Sequence, residues 1–153
     1  MNKEKLMEKM REKGMQDAQV LQEKAGSMTG TELNGSKEAI PDFTAAAAKM
    51  NMLEREVGFV CKSSAGRVVK LLQVYDSSIY TAEPEELSAQ WGFVWSQDPA
   101  NALPFIALST SPYGKGDCCT ENDIVYRSKI ENNVWAPSEN EQAWEKAEQE
   151  VQR

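Results

Sequence analysis

Residues 113–137 read Tyr-Gly-Lys-Gly-Asp-Cys-Cys-Thr-Glu-Asn-Asp-Ile-Val-Tyr-Arg-Ser-Lys-Ile-Glu-Asn-Asn-Val-Trp-Ala-Pro. Gly116 to Thr120 is expected to be a strand. Glu121-Asn122-Asp123 is a turn, because Asn and Asp hydrogen-bond their own backbone and tolerate left-handed geometry. On the return strand Ile124, Tyr126, Ser128 and Ile130 recur at a period of two and share one face. Asn132-Asn133 marks a second turn, followed by Trp135, Pro137 and Trp144. Gly116 permits a bend closed to other residues, and Asp117 can accept bonds from turn N–H groups. Tyr126 and Trp144 supply the large apolar area that so short a unit needs. These residues define a small β-module over residues 109–146, with residues 147–153 as an acidic tail continuing a frayed helical end from Glu145.

Upstream, the same grammar recurs. Val57, Phe59 and Cys61 alternate with Gly58, Val60 and Lys62; Ser63 to Gly66 is a turn; Arg67 to Gln73 is a second strand, rich in Val and Leu. Trp91-Gly-Phe-Val-Trp95 and Phe105-Ile-Ala-Leu108 read as further short strands. Gly58 to Cys61 followed by Val69-Lys70 echoes Gly116 to Cys119 followed by Tyr126-Arg127, and a tryptophan trails each pair. The echo leaves two readings: a tandem of related modules, or two hairpins of similar length.

Residues 1–26 alternate Lys and Glu with Leu, Met and Ala, contain no proline, and are expected to be helical. Met7, Met10, Ala18, Leu21 and Ala25 share one stripe, which Gly14 interrupts at a cost of about 1 kcal/mol relative to Ala. The helix is either a solvated arm or one strand of a helical oligomer. This segment carries six basic and five acidic residues, whereas the remainder carries 11 and 19, which sets a boundary near Gly26. Residues 27–43 form a linker, rich in Gly, Ser and Asn, that ends in the extended anchor Ile40-Pro41-Asp42-Phe43. Thr44 is a candidate cap for a short helix from Ala45 to about Leu53. Residues 44–108 therefore hold that helix and a small β-domain. The expected fold is mainly β: small antiparallel-sheet modules, one or two in tandem, preceded by an N-terminal α-helix.

The net charge of −7 argues against nucleic acid or an anionic membrane surface as the partner. No stretch approaches the roughly 20 apolar residues that span a bilayer, and the basic start lacks the apolar core of a secretory signal. If the protein works outside a cell, it is expected to leave by another route, such as lysis or as part of a particle. There is no histidine, so the commonest general base and the commonest transition-metal ligand are both missing. Cys61, Cys118 and Cys119 are an odd number without a CxxC pair, which fits buried apolar residues better than disulfides or zinc. Glu83, Glu85 and Glu86 cluster near Pro84 but do not make the two-carboxylate cleft of a glycosidase. Asp117 alone is too little for calcium. The reading has no catalytic residue, no metal and no cofactor.

Residues 113–144 resemble the chitin-binding type-3 family, also called carbohydrate-binding family five/twelve. The likeness lies in Tyr113, Gly116-Asp117, the turn at Asn122-Asp123, Tyr126 on the return strand, Asn132-Asn133-Val-Trp135-Ala-Pro137, and the closing Trp144. The Asn-Asn-Val-Trp-Ala-Pro form is similar to that of phage and prophage tail-associated proteins. Asp123 stands where the family's turn usually has glycine, Cys119 replaces a usual valine, and one tryptophan occupies a loop that often holds two. The resemblance implies a non-enzymatic binder of a chitin-like or cell-wall polysaccharide. Trp135 and Tyr113 would stack on sugar rings, and Asn132, Asn133 and Glu131 would meet the hydroxyls. Gly116, Asp117, Tyr126, Pro137 and Trp144 would hold the frame. A tail location implies a protein found in the virion, or outside the cell after lysis, and joined to other virion proteins or to further copies through its N-terminal helix. A purely structural tail or baseplate part, and a detached accessory module of a glycoside hydrolase, are the alternatives.

Overall fold

The computed structural model describes Lys5 and residues 19–147. The chain is mainly β, as its alternation implies, and its described residues hold two sheets. The first joins β1 (Val60–Lys62), β2 (Val68–Leu71) and β3 (Trp91–Phe93) as an antiparallel meander. The second runs β4 (Leu103–Pro104), β5 (Cys118–Glu121), β6 (Ile124–Ser128) and β7 (Trp144–Lys146). Here β5, β6 and β7 repeat the antiparallel meander, while β4 adds a parallel edge, Leu103 opposite Cys119.

The sequence echo has a structural counterpart. Gly58 and Gly116 both sit at φ 97°, immediately upstream of β1 and β5. Cys61 and Cys119 are both fully buried, and the third strand of each meander brings in a tryptophan, Trp91 or Trp144. The β5–β6 loop is Asn122-Asp123 with both residues at positive φ (53° and 65°), which matches the right-handed twist of the flanking strands.

Four expectations are corrected. The glycine-rich stretch taken as linker contains helix α2 (Gly30–Asn34), started by a capping box in which Thr29 Oγ1 accepts from Glu32 N and Glu32 Oε1 accepts from Thr29 N. Gly30 lets it approach sheet one, because a Cβ there would collide with the Trp95 carbonyl oxygen. The next helix, α3, spans Phe43–Lys49 with Asp42 at its cap position, so Thr44 lies within it; Asn51 then caps a separate turn over Met52–Glu54. Residues 105–108 are irregular; the strand forms two residues earlier, where Phe105 N–H is drawn to Thr120 O. At the C-terminal end, Glu145 and Lys146 belong to β7 rather than to a helical tail.

Residues 19–24 are helical (α1). Leu21 and Ala25 of the expected stripe face inward, while Met7, Met10, Gly14 and Ala18 lie outside the described residues, as does the tail from residue 148. Leu21 and Ala25 join Leu33, Ile40, Val60 and Val68 in a small apolar layer on one face of sheet one. Gln22 completes the contact: its amide donates to Val60 O (2.7 Å) and accepts from Val60 N (2.9 Å), closing the exposed edge of β1.

The other face of sheet one carries the main core, which runs without interruption into sheet two and so crosses the expected boundary at residue 109. At one end Trp91 meets Phe43 and Tyr75 edge-on and donates its indole N–H to Tyr75 Oη at 3.0 Å. At the other, Phe93, Trp95, Tyr113 and Phe105 stack in sequence, with Trp144 edge-on to the last two. The Trp95 and Tyr113 rings lie 4.2 Å apart, 15° from parallel. A second tie between the sheets is Arg67, which pairs with Glu85 at 2.9 Å and donates to Pro104 O. Because Trp91 is wholly buried, Trp91→Ala is expected to cost about 3–5 kcal/mol, read as a lowered urea midpoint monitored by far-ultraviolet circular dichroism.

Candidate functional site

The segment between β6 and β7 carries the residues singled out by the motif, and the structure divides them. Asn132 has φ 53°, the left-handed geometry that Asn tolerates, and is exposed together with Glu131. Trp135 is 44% exposed. These three share one surface loop.

Tyr113 and Asn133 do not join them, which corrects the expected ligand set. Tyr113 is 1% exposed, its ring filled in on both faces by Trp95 and Phe105. Burial pushes its phenol pKa up, and Oη accepts from Ile106 N at 3.4 Å. Asn133 is fully buried. Its backbone exchanges two hydrogen bonds with Tyr113 (2.9 and 2.8 Å). Its amide donates to Ser128 Oγ (3.0 Å) and Ala143 O (3.3 Å), and its Oδ1 accepts from Trp135 N at 3.2 Å. Every polar group of this side chain is used internally, as a buried amide requires. Asn133 is thus the bracket of the loop.

The rest of the loop is tied just as closely. Trp144 Nε1 donates to Trp135 O at 2.7 Å, Glu139 Oε1 accepts from Ala136 N, and Glu139 N returns a bond to Ala136 O. The Glu121 carboxylate, from the end of β5, accepts from Ser138 N (2.9 Å) and Ser138 Oγ (3.0 Å). Pro137 is buried beside it. The result is an indole projecting from an anchored loop.

Below the loop lies a cleft of about 450 Å³ whose walls include Tyr126, Pro137, Trp144, Glu121, Glu141 and Lys146. Sequence reasoning assigned Tyr126, Pro137 and Trp144 to the frame, and missed the polar lining. The signal was absent locally: Lys146 comes opposite Tyr126 only through the β6–β7 register, across a long connection. Its lining is mixed, with Tyr126, Pro137 and Trp144 beside Glu121, Glu141 and Lys146.

Asp117 bends the chain before β5: its Oδ2 accepts from Gly114 N at 2.7 Å. Burial raises its pKa above the usual carboxylate value, against the pull of the Gly114 bond, and the neighbouring Glu131 charge adds to the rise. Burial likewise raises all three thiols, Cys119 to about 12 with help from the Glu121 and Cys118 charges, so the thiolate is scarce at neutral pH. Among the described residues no group of three or more Cys, Asp or Glu could hold a metal ion, and no helix is long and apolar enough to cross a membrane. No protein-family model matches the chain, and neither curated proteins nor solved structures yield a match.

Two outcomes follow from this geometry. Asn133→Ala is expected to destabilise the fold by about 1–3 kcal/mol, since Ser128, Ala143 and Trp135 lose partners; chemical denaturation measures it. For Asp117 the raised folded pKa means that its contribution favours the fold below the unfolded value and is lost as pH rises through the folded one. Asp117→Asn keeps an acceptor for Gly114, so its urea midpoint should exceed that of the wild type at about pH 7, and the difference should shrink at about pH 3.

Proposed function

We propose that the protein is a non-catalytic carbohydrate-binding protein, a tail-associated component of a phage or prophage that contacts a chitin-like or cell-wall glycan. The observation that carries the reading is the half-exposed indole of Trp135 on a loop whose neighbours are hydrogen-bonded to the core. With the main chain of Trp135 already fixed by Asn133 and Trp144, the loop need not be ordered when the exposed ring stacks on the apolar face of a pyranose. Asn132 and Glu131, exposed in the same loop, are the polar groups that would meet sugar hydroxyls. Tyr113 and Asn133 act in this reading only as supports of Trp135. The absence of histidine and the protonated thiols favour binding over chemistry. The tail location, with release in a particle or after lysis, rests on the Asn132 to Pro137 motif alone.

A second reading is a structural tail or baseplate part that keeps the fold without the ligand. The withdrawal of Tyr113 into the core favours it, since one platform then remains of the two expected.

Co-sedimentation of the full chain with insoluble chitin and with peptidoglycan separates these readings. Retention on either matrix, weakened at least about tenfold by Trp135→Ala (about 1.4 kcal/mol) and only a few-fold by Asn132→Ala, is the expected result. Passage of the wild-type protein through both matrices, or Trp135→Ala binding as well as wild type, would remove the carbohydrate reading and leave the structural one.

A further inference from the structure

The two meanders agree in more than strand order. Cys61 lies opposite Val69 and Cys119 opposite Tyr126; two residues on, Leu71 lies opposite Trp91 and Ser128 opposite Trp144. Main-chain bonds coincide in pairs. Gly58 N–H donates to Leu71 O as Gly116 N–H does to Ser128 O (2.8 and 2.9 Å), and Leu72 N–H donates to Gln90 O as Lys129 N–H does to Ala143 O (2.7 and 2.8 Å). Pro84 and Pro137, both buried, each precede the third-strand tryptophan by seven positions. Phe43 and Phe105 meet those tryptophans edge-on at 5.7 and 6.1 Å. Both meanders thus follow one plan, and positions in one can be read against the other.

Their outer edges differ. In the first meander the free side of β3 is crossed by residues 108–111. Phe93 N–H donates to Ser111 Oγ (2.9 Å), Thr110 Oγ1 donates to Ser88 O (3.1 Å), and Leu108 is buried in the core that holds Trp91 and Phe93. Counted from the tryptophan, Lys146 and Glu141 take the places of Phe93 and Ser88 in the second meander. Ala147 N and Ala143 O bond back to β6, so by alternation the Lys146 N–H points outward, and no group among the described residues meets it. Lys146 and Glu141 also wall the cleft of about 450 Å³. Its Tyr126, Pro137 and Trp144 correspond to Val69, Pro84 and Trp91, which the first meander buries completely.

The covered edge shows what the open one fits. On β3 the occupant is extended polypeptide: an apolar side chain enters the core, and two hydroxyls meet main-chain groups that would otherwise lie unpaired. An edge strand with an outward N–H takes an extended chain in this way, and side-chain pockets select which one. We infer that the cleft beside β7 binds an extended segment of a second polypeptide, in which an apolar residue is followed by Thr and Ser as in residues 108–111. The inference does not rest on the carbohydrate reading, since Trp135 is not among the walls of this cleft.

The probe is a fluorescent peptide with the sequence of residues 104–112, titrated with the full chain and read by anisotropy. Saturable binding is expected, weakened at least about tenfold when the peptide carries Thr110→Val and Ser111→Ala. Lys146→Pro removes the outward N–H but no bond to β6, a change that edge strands tolerate, and should weaken binding to a similar extent, whereas Lys146→Ala should not. Should Lys146→Pro fail to fold, amide shifts of the isotope-labelled wild-type chain locate the peptide; they are expected at Glu141 and Lys146 and not at Ser88 and Phe93. No saturation below about 1 mM, equal binding of the hydroxyl-free peptide, or shifts confined to the first meander would each overturn the inference. So would shifts at Glu141 and Lys146 caused by a chitin oligosaccharide and not by the peptide.

Discussion

The stack of Trp95 on Tyr113 is the contact on which the two sheets and the loop between β6 and β7 depend. Phe93 and Trp95 point to the same side of the chain by simple alternation, and together they present a flat apolar wall at the end of sheet one. Tyr113 lies on that wall with its other face against Phe105. Its backbone is the partner of Asn133, and Asn133 holds the N–H of Trp135. A chain of direct contacts thus leads from the centre of the core to the indole at the surface. Aromatic stacking is worth on the order of 1 kcal/mol beyond burial, but its structural effect here is larger, since it decides which way the loop faces.

This arrangement divides the aromatic residues by task. Trp91, Trp95 and Trp144 are inside, and their N–H groups go to Tyr75 Oη, Ser111 O and Trp135 O. A buried indole without such a partner would carry a desolvation penalty. Trp135 alone among the four tryptophans keeps its ring in solvent, while its backbone serves both Asn133 and Trp144. Tyr126 stands between the two groups, packed on the core with one side and open to the cleft with the other.

The hairpins were legible because their signals are local. Alternation at residues 57–62 and 124–130 marks strands, and Asn122-Asp123 spells a turn that few other residue pairs can make. The orientation of Tyr113 was not legible. Flanked by Pro112 and Gly114, it belongs to no periodic run, and its direction is set by Trp95, far away in the chain. Asn133 misled for a related reason: an Asn in a loop reads as exposed, whereas here it replaces missing backbone pairing with side-chain bonds. Thr29 and Glu32 did spell a capping box, but Gly30 and Gly35 around them suggested a linker. Gly30 is in fact a packing residue, small so that α2 can lie against the Trp95 backbone.

The amide of Gln22 has a significance beyond holding α1 in place. It occupies both main-chain groups of Val60 as a neighbouring strand would, and Asp42 covers the next stretch through its bridge with Lys62. An uncovered edge strand presents unpaired N–H and C=O groups to any second strand. Proteolytic clipping after residue 24 would therefore do more than shorten the chain. It would leave both main-chain groups of Val60 without the partners that Gln22 supplies.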